Sequence, residues 1–163
     1  MPALRPEEIE DAYRRHGHSV LRRARRLLGN EHDATETLHE VFIDLLERPE
    51  QFEKRSSLVT WLYAATTHRC LNRLRNGRTR ARLLEEQHAP AHEASPAGKV
   101  ESMLELRRLL GSVSEEMAQA AVYHHMDELT QDEIAAVMGC SRRHVGHLLE
   151  RLRARACDAV GRP

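Results

Sequence analysis

The sequence predicts an all-α chain, built as two small helical domains joined by a flexible linker. Three observations carry that reading. Leu, Ala and Arg dominate the 163 residues, and one Trp, three Tyr and two Phe are the only aromatics, a usage that suits helices better than sheets. Apolar residues recur at spacings of three and four. Between Gly77 and Lys99 a stretch rich in Ala, Pro, His and Glu breaks the pattern with Gly77, Pro90, Pro96 and Gly98. The domains implied are 1–76 and 100–163, with 77–99 as linker, of which RARLLEEQ can itself be helical.

The first helix is expected from about Pro6 to Leu28, with Val20, Leu21, Ala24, Leu27 and Leu28 turned inward and its arginines outward. Asp33 is placed to cap a second helix whose buried stripe is Leu38, Val41, Phe42, Leu45 and Leu46. Glu36, Glu40, Asp44 and Glu47 fall mostly off that stripe, and Pro49 ends the helix. Ser56 or Ser57 caps a third, with Leu58, Trp61, Leu62 and Ala65 as core candidates.

The second domain opens near Glu101. Thr130 and Glu133 have the spacing of a capping box, so a helix should start at Gln131, with Ile134, Val137 and Met138 on its apolar side. Gly139 can take the left-handed conformation that closes it. Ser141 then caps a last helix whose inward residues are Val145, Leu148, Leu149, Leu152 and Ala156. Helix, short glycine turn and second capped helix make a helix-turn-helix.

Composition excludes several classes of protein. With 40% hydrophobic and 31% charged residues the chain is neither disordered nor membrane-like, and no apolar run approaches the ~18–20 residues of a bilayer span. The start, MPALRPEEIEDAYRR, lacks a secretory apolar core. A cytoplasmic protein without membrane insertion is expected. Cys70, Cys140 and Cys157 are odd in number and far apart, which suits a reducing compartment and no disulfide framework. No nucleophile–base arrangement or Gly-rich phosphate loop points to an enzyme.

Net charge is zero with His neutral, but its distribution is blocked. Six arginines and no acid lie between Tyr13 and Asn30. Eight acids and one arginine follow from Glu31 to Glu53, then eight basic residues and no acid from Lys54 to Arg82. Such blocks set up local fields that the total conceals.

In a helix-turn-helix the second helix enters the major groove with its early residues toward base edges. Here those are Arg142, Arg143, His144 and His147, with Arg151, Arg153 and Arg155 further along. Arginine pairs with guanine edges or phosphates, and the Ser141 end suits a backbone phosphate. The bland alternative is a basic solvated face. Gly146 costs a helix about 1 kcal/mol, either for close approach to DNA or without functional meaning.

These residues resemble a known family, the extracytoplasmic-function sigma factors. FEKRSSLVTWLYAATTHRCLNRLR resembles their promoter-melting segment, DATETLHEVFIDLL their polymerase-docking helix, and LTQDEIAAVMGCSRRHVGHLLERLRAR their C-terminal helix-turn-helix. The likeness runs from about Tyr13 to Arg155. It implies a region 2-like bundle and a region 4-like helix-turn-helix. Glu36, Glu40, Phe42 and Asp44 would meet a basic coiled coil of core RNA polymerase. Lys54, Arg55, Ser56 and Ser57 would form the loop that captures an extruded base of the single-stranded −10 element. Trp61 stands as core anchor or stacking platform. His68, Asn72, Arg73 and Arg75 would continue the −10 face, and Ser141, Arg142, Arg143, His144, His147 and Arg151 would read duplex −35 DNA. The resemblance also implies an anti-sigma partner.

The chain departs from the family pattern at several positions. His39, His68 and Asn72 stand where Gln, Asn and Asp are frequent. Arg143-His144 replaces a usual Gly-Thr pair, Leu148 a common Arg, and Val113-Ser114 a frequent Leu-Pro. These bear on promoter sequence, the −35 site above all. Two rival readings follow: a stand-alone helix-turn-helix regulator, and a sigma-like protein-interaction module without promoter activity.

The 23-residue linker, fully extended, reaches roughly 76 Å, against about 70 Å for two turns of duplex. No cofactor is expected. Cys140, His144 and His147 lack a fourth zinc ligand of suitable spacing, and His16, His18, His124 and His125 read as surface residues.

Overall fold

The computed structural model describes residues 3–85 and 98–161. It contains α1 (Pro6–Leu28), α2 (Glu31–Glu47), a 3-10 turn (Pro49–Gln51), α3 (Leu58–Glu85), α4 (Gly98–Ser112), α5 (Glu115–Ala121), a π turn (Val122–Met126), α6 (Gln131–Met138) and α7 (Arg142–Val160). Among the described residues there is no strand. Two compact units divide between Cys70 and Leu71, inside α3.

In the first unit α1 and α2 form a helical hairpin. Gly29 closes α1 at φ 66°, where glycine carries no Cβ penalty, and its N–H donates to the Arg25 carbonyl at 2.8 Å. The cap of α2 is Asn30, whose Oδ1 accepts from the Asp33 N–H at 3.0 Å. That corrects the expectation for Asp33, which lies one turn inside the helix. The hairpin and α3 enclose Ile9, Ala12, Val20, Leu38, Val41, Phe42, Leu45 and Leu62. Burying these apolar side chains drives the packing at roughly 25 cal/mol per Å².

Three features of this core differ from the periodicity reading. Arg23, expected outside, is buried: its Nε donates to Thr67 Oγ1 at 2.8 Å, and its guanidinium lies 5.2 Å from the Tyr63 ring centroid. Leu46, expected inside, is half exposed. The polar Thr66 and Thr67 are fully buried, each hydroxyl donating to the carbonyl four residues back, so helix backbone satisfies what burial removes from water.

Helix α3 runs through Gly77 to Glu85, overlapping the expected linker. One exposed glycine costs a helix only about 1 kcal/mol, too little to end it among good helix formers. With α4 opening at Gly98, full extension over 77–99 does not apply; residues 86–97 lie outside the described ones.

In the second unit the buried set includes Leu110, Val113, Met117, Val122, Tyr123, Ile134, Val145, Leu148, Leu149 and Leu152. Gly111 lies under the α3 backbone, where a Cβ would sit 3.1 Å from the Leu74 carbonyl oxygen. Ser114 caps α5, and the π turn joins it to the α6 approach through Asp127 N–H to Val122 O at 3.2 Å. His124 is half-buried rather than a surface residue, with its ring edge-on to His125. Desolvation, then His124 and Arg153, lowers the His125 pKa.

The capping box is formed as expected. Thr130 Oγ1 accepts from Glu133 N–H at 3.2 Å, and Glu133 Oε2 accepts from Thr130 N–H at 2.7 Å. Hydrogen bonding to the carboxylate, from the Thr130 backbone N–H first and then from the Thr130 side chain, holds the Glu133 carboxyl below its usual range. Thr130→Ala is expected to lower stability of this unit by about 1 kcal/mol, read from its urea midpoint. The Glu133 contribution is present above the ordinary carboxylate pKa and is lost as pH falls through the depressed folded value.

Candidate partner and nucleic-acid interfaces

Helix α2 exposes a mixed acidic and apolar stripe. Glu36, His39, Ile43, Leu46 and Glu47 are exposed and Glu40 is half-buried; spacings of three and four put them on one side of the helix. Of the four residues assigned to partner docking, Glu36 and Glu40 lie on this stripe. Phe42 does not: it is 4% exposed and meets Tyr13 edge-on at 5.0 Å, so its ring is core. Ile43 and Leu46, each 50% exposed, are the apolar groups α2 offers a partner. Asp44 is half-buried and paired with Arg48 at 3.2 Å and with Arg69.

The charge blocks therefore meet within the fold. Arg69 of α3 bridges Glu40 at 3.2 Å as well as Asp44. Arg25 donates twice to Glu31, both at 2.6 Å; that hydrogen bonding raises the arginine pKa and holds the carboxyl low. What remains outward on α2 is a narrower acidic surface than the eight-acid count suggests.

The basic loop precedes α3. Lys54, Arg55 and Ser56 are exposed, and Lys54 has φ 55°, a left-handed turn uncommon for a residue with Cβ. Arg55 pairs with Glu53 at 2.9 Å. Ser57 caps α3, its Oγ accepting from Thr60 N–H at 3.2 Å and sharing a 2.8 Å hydrogen bond with Thr60 Oγ1. Trp61 is half-buried, packed against the core and edge-on to Phe52 at 6.3 Å. Trp61 and His68, seven residues apart, share one side of α3 in the first unit; the other residues expected on the −10 face are Asn72, Arg73 and Arg75. These three belong to the second unit, where Arg75 lies 3.7 Å from Glu115.

The helix-turn-helix is formed by α6, Gly139 at φ 66°, and α7. Ser141 Oγ accepts from His144 N–H at 3.1 Å, so its hydroxyl serves the cap. Val145, Leu148, Leu149 and Leu152 are buried while Ala156 is half-buried. Arg143, His147 and Arg151 are exposed on the opposite side, and Arg142 is exposed at the first turn beside α6. His144 is half-buried and its Nε2 lies 3.1 Å from Glu116 Oε2. Gly146 faces α6: a Cβ there would meet Gln131 Oε1 at 3.5 Å, an ordinary contact. Sequence reasoning missed Glu116, since no local spacing links positions 28 apart.

Among the described residues no group of three or more His, Cys, Asp or Glu could hold a metal, and no helix is long and apolar enough to cross a membrane.

The sigma-70 region 2 family model matches residues 12–80 and the sigma-70 region 4 model residues 103–155. The ECF RNA polymerase sigma factor SigE of Mycolicibacterium smegmatis is 29% identical over 159 residues, covering 94% of this chain and 62% of the relative. The chain thus spans less than two thirds of that relative's length. Two solved structures share the fold. CnrH in complex with the cytosolic domain of CnrY has TM-score 0.58 and 17% identity, over 96% of this chain and 89% of that one. RpoE in complex with the anti-sigma factor NepR from Bartonella quintana has TM-score 0.54 and 16% identity, over 96% and 99%. With a region 2 segment followed by a region 4 segment, the chain belongs to the sigma-70 family.

Proposed function

We propose that the chain is an extracytoplasmic-function sigma factor, a non-enzymatic subunit that brings core RNA polymerase to promoters in the cytoplasm. The observation that carries this is the order of three surfaces on one chain. An acidic and apolar stripe on α2 comes first, then a basic loop leading into α3, then a capped helix-turn-helix with arginines on its outer side.

Each surface has a physical task. The α2 stripe of Glu36, Glu40, Ile43 and Leu46 suits a basic partner with apolar contacts. Lys54, Arg55 and Ser56 present cations and a hydroxyl to a single strand, with His68 exposed further along α3. Trapping a base there offsets the few kcal/mol that unstacking costs. Arg142, Arg143, His147 and Arg151 face a duplex groove. An anti-sigma protein is the further partner proposed, since RpoE of the second solved complex is bound to one.

Sequencing transcripts made by core polymerase plus this chain on genomic DNA tests the whole reading. Initiation at discrete sites is expected, and a complex that never initiates overturns it. Arg143→Ala is expected to weaken −35-dependent promoters about tenfold, the scale of one lost base contact. Permanganate footprints should show −10 opening retained on promoters that do not need −35. Equal loss on both promoter types contradicts the assignment.

A further inference from the structure

Two carboxylates outside α7 lie against its first turn. Glu116 of α5 reaches His144 Nε2 at 3.1 Å, and Asp132 of α6 lies 3.9 Å from Arg142 Nε. Glu116 also lies at the turn itself: after desolvation, its charge is the second cause that raises the Cys140 thiol pKa. Acceptors from two different helices therefore reach Arg142 and His144, two side chains of the first turn of α7 that carry polar hydrogens. Both pairs are solvent-exposed, so they contribute little to folding. Their consequence is for binding.

We propose that Glu116 and Asp132 are specificity-determining residues, intramolecular competitors that hold His144 and Arg142 away from phosphate. This rests on the reading of α7 as the duplex reader. When a duplex enters, each pair must open, and each released carboxylate stands near the phosphate backbone. A sequence offering a base edge to Arg142 or His144 replaces the lost partner. A sequence offering only phosphate leaves the carboxylates uncompensated, so arbitrary duplex is disfavoured more than a matched site. Electrostatic attraction to phosphate is indifferent to sequence; the acids trim that indifferent part.

The test uses the full chain and a fluorescent 30-base-pair duplex of arbitrary sequence, titrated by anisotropy across a salt series. Glu116→Gln with Asp132→Asn is expected to tighten binding roughly five- to tenfold. The log-affinity against log-salt slope should steepen by about 0.9, the value of one additional phosphate contact. Glu10→Gln with Asp11→Asn makes the same change in net charge in the first unit, where these acids pair with Arg14 and Arg15; it is expected to leave affinity unchanged. Arg143→Ala with Arg151→Ala should weaken binding. If that last variant weakens binding while the Glu116/Asp132 variant binds like the parent, the competition is refuted and the duplex reader stands. Equal tightening by the Glu10/Asp11 variant also refutes it, because net charge then suffices. If the Arg143/Arg151 variant binds as the parent does, the assignment of α7 as reader fails first.

Discussion

Ile43→Arg combined with Leu46→Arg is expected to reduce affinity for core RNA polymerase about 100-fold and leave the fold unchanged. Each side chain is 50% exposed on α2, so the free protein gives up little packing. Burying a whole Leu or Ile against a partner contributes about 1.5–3 kcal/mol; half of that for each, plus like-charge repulsion from a basic partner, gives about 3 kcal/mol, or two orders of magnitude. Arginines near the end of α2 also complement the helix dipole, so the urea midpoint should move by less than ~0.5 kcal/mol. Glu40→Arg is a poorer probe. Glu40 accepts from Arg69 at 3.2 Å, and reversal would oppose two cations within the fold. Undiminished co-purification of the Ile43/Leu46 variant with core enzyme would remove α2 as the docking helix.

Leu148→Ala should destabilise the second unit by about 2–5 kcal/mol, the range for deleting a buried leucine side chain. Leu148 is 2% exposed on the inner side of α7, and the unit relies on that side to hold the helix in place. Marginal domains have only ~5–15 kcal/mol in total. Urea unfolding followed by helical circular dichroism should show this unit melting early, with duplex binding lost. A shift below ~1 kcal/mol would mean that the site collapses around the cavity or that α7 packs differently. Leu148→Arg, which installs the residue common in the resembling family, should be worse, because a guanidinium would be buried without a designed counter-ion.

The parts legible in the residues were those set by neighbours within a turn. The bounds of α1, the Thr130–Glu133 box, the left-handed Gly139 and the Ser141 cap all depend on backbone groups three or four positions away. The helix-turn-helix and its outer arginines follow from them. Asn30 shows the limit of such reading even locally, since the cap lies three residues before Asp33, the residue expected to supply it.

Packing decided the remainder. Leu46 and Arg23 lie near the edges of their helices' apolar stripes, where the direction of the neighbouring helix determines which side is covered. Arg23 was buried because Thr67 and Tyr63 of α3 supply a hydrogen bond and a ring face. Arg69 drew Glu40 and Asp44 out of the acidic count, and Glu116 reached His144 across 28 positions. Capping acts through bonds to adjacent turns and so is written along the chain; burial and ion pairing act across space, and only the assembled helices specify which groups meet.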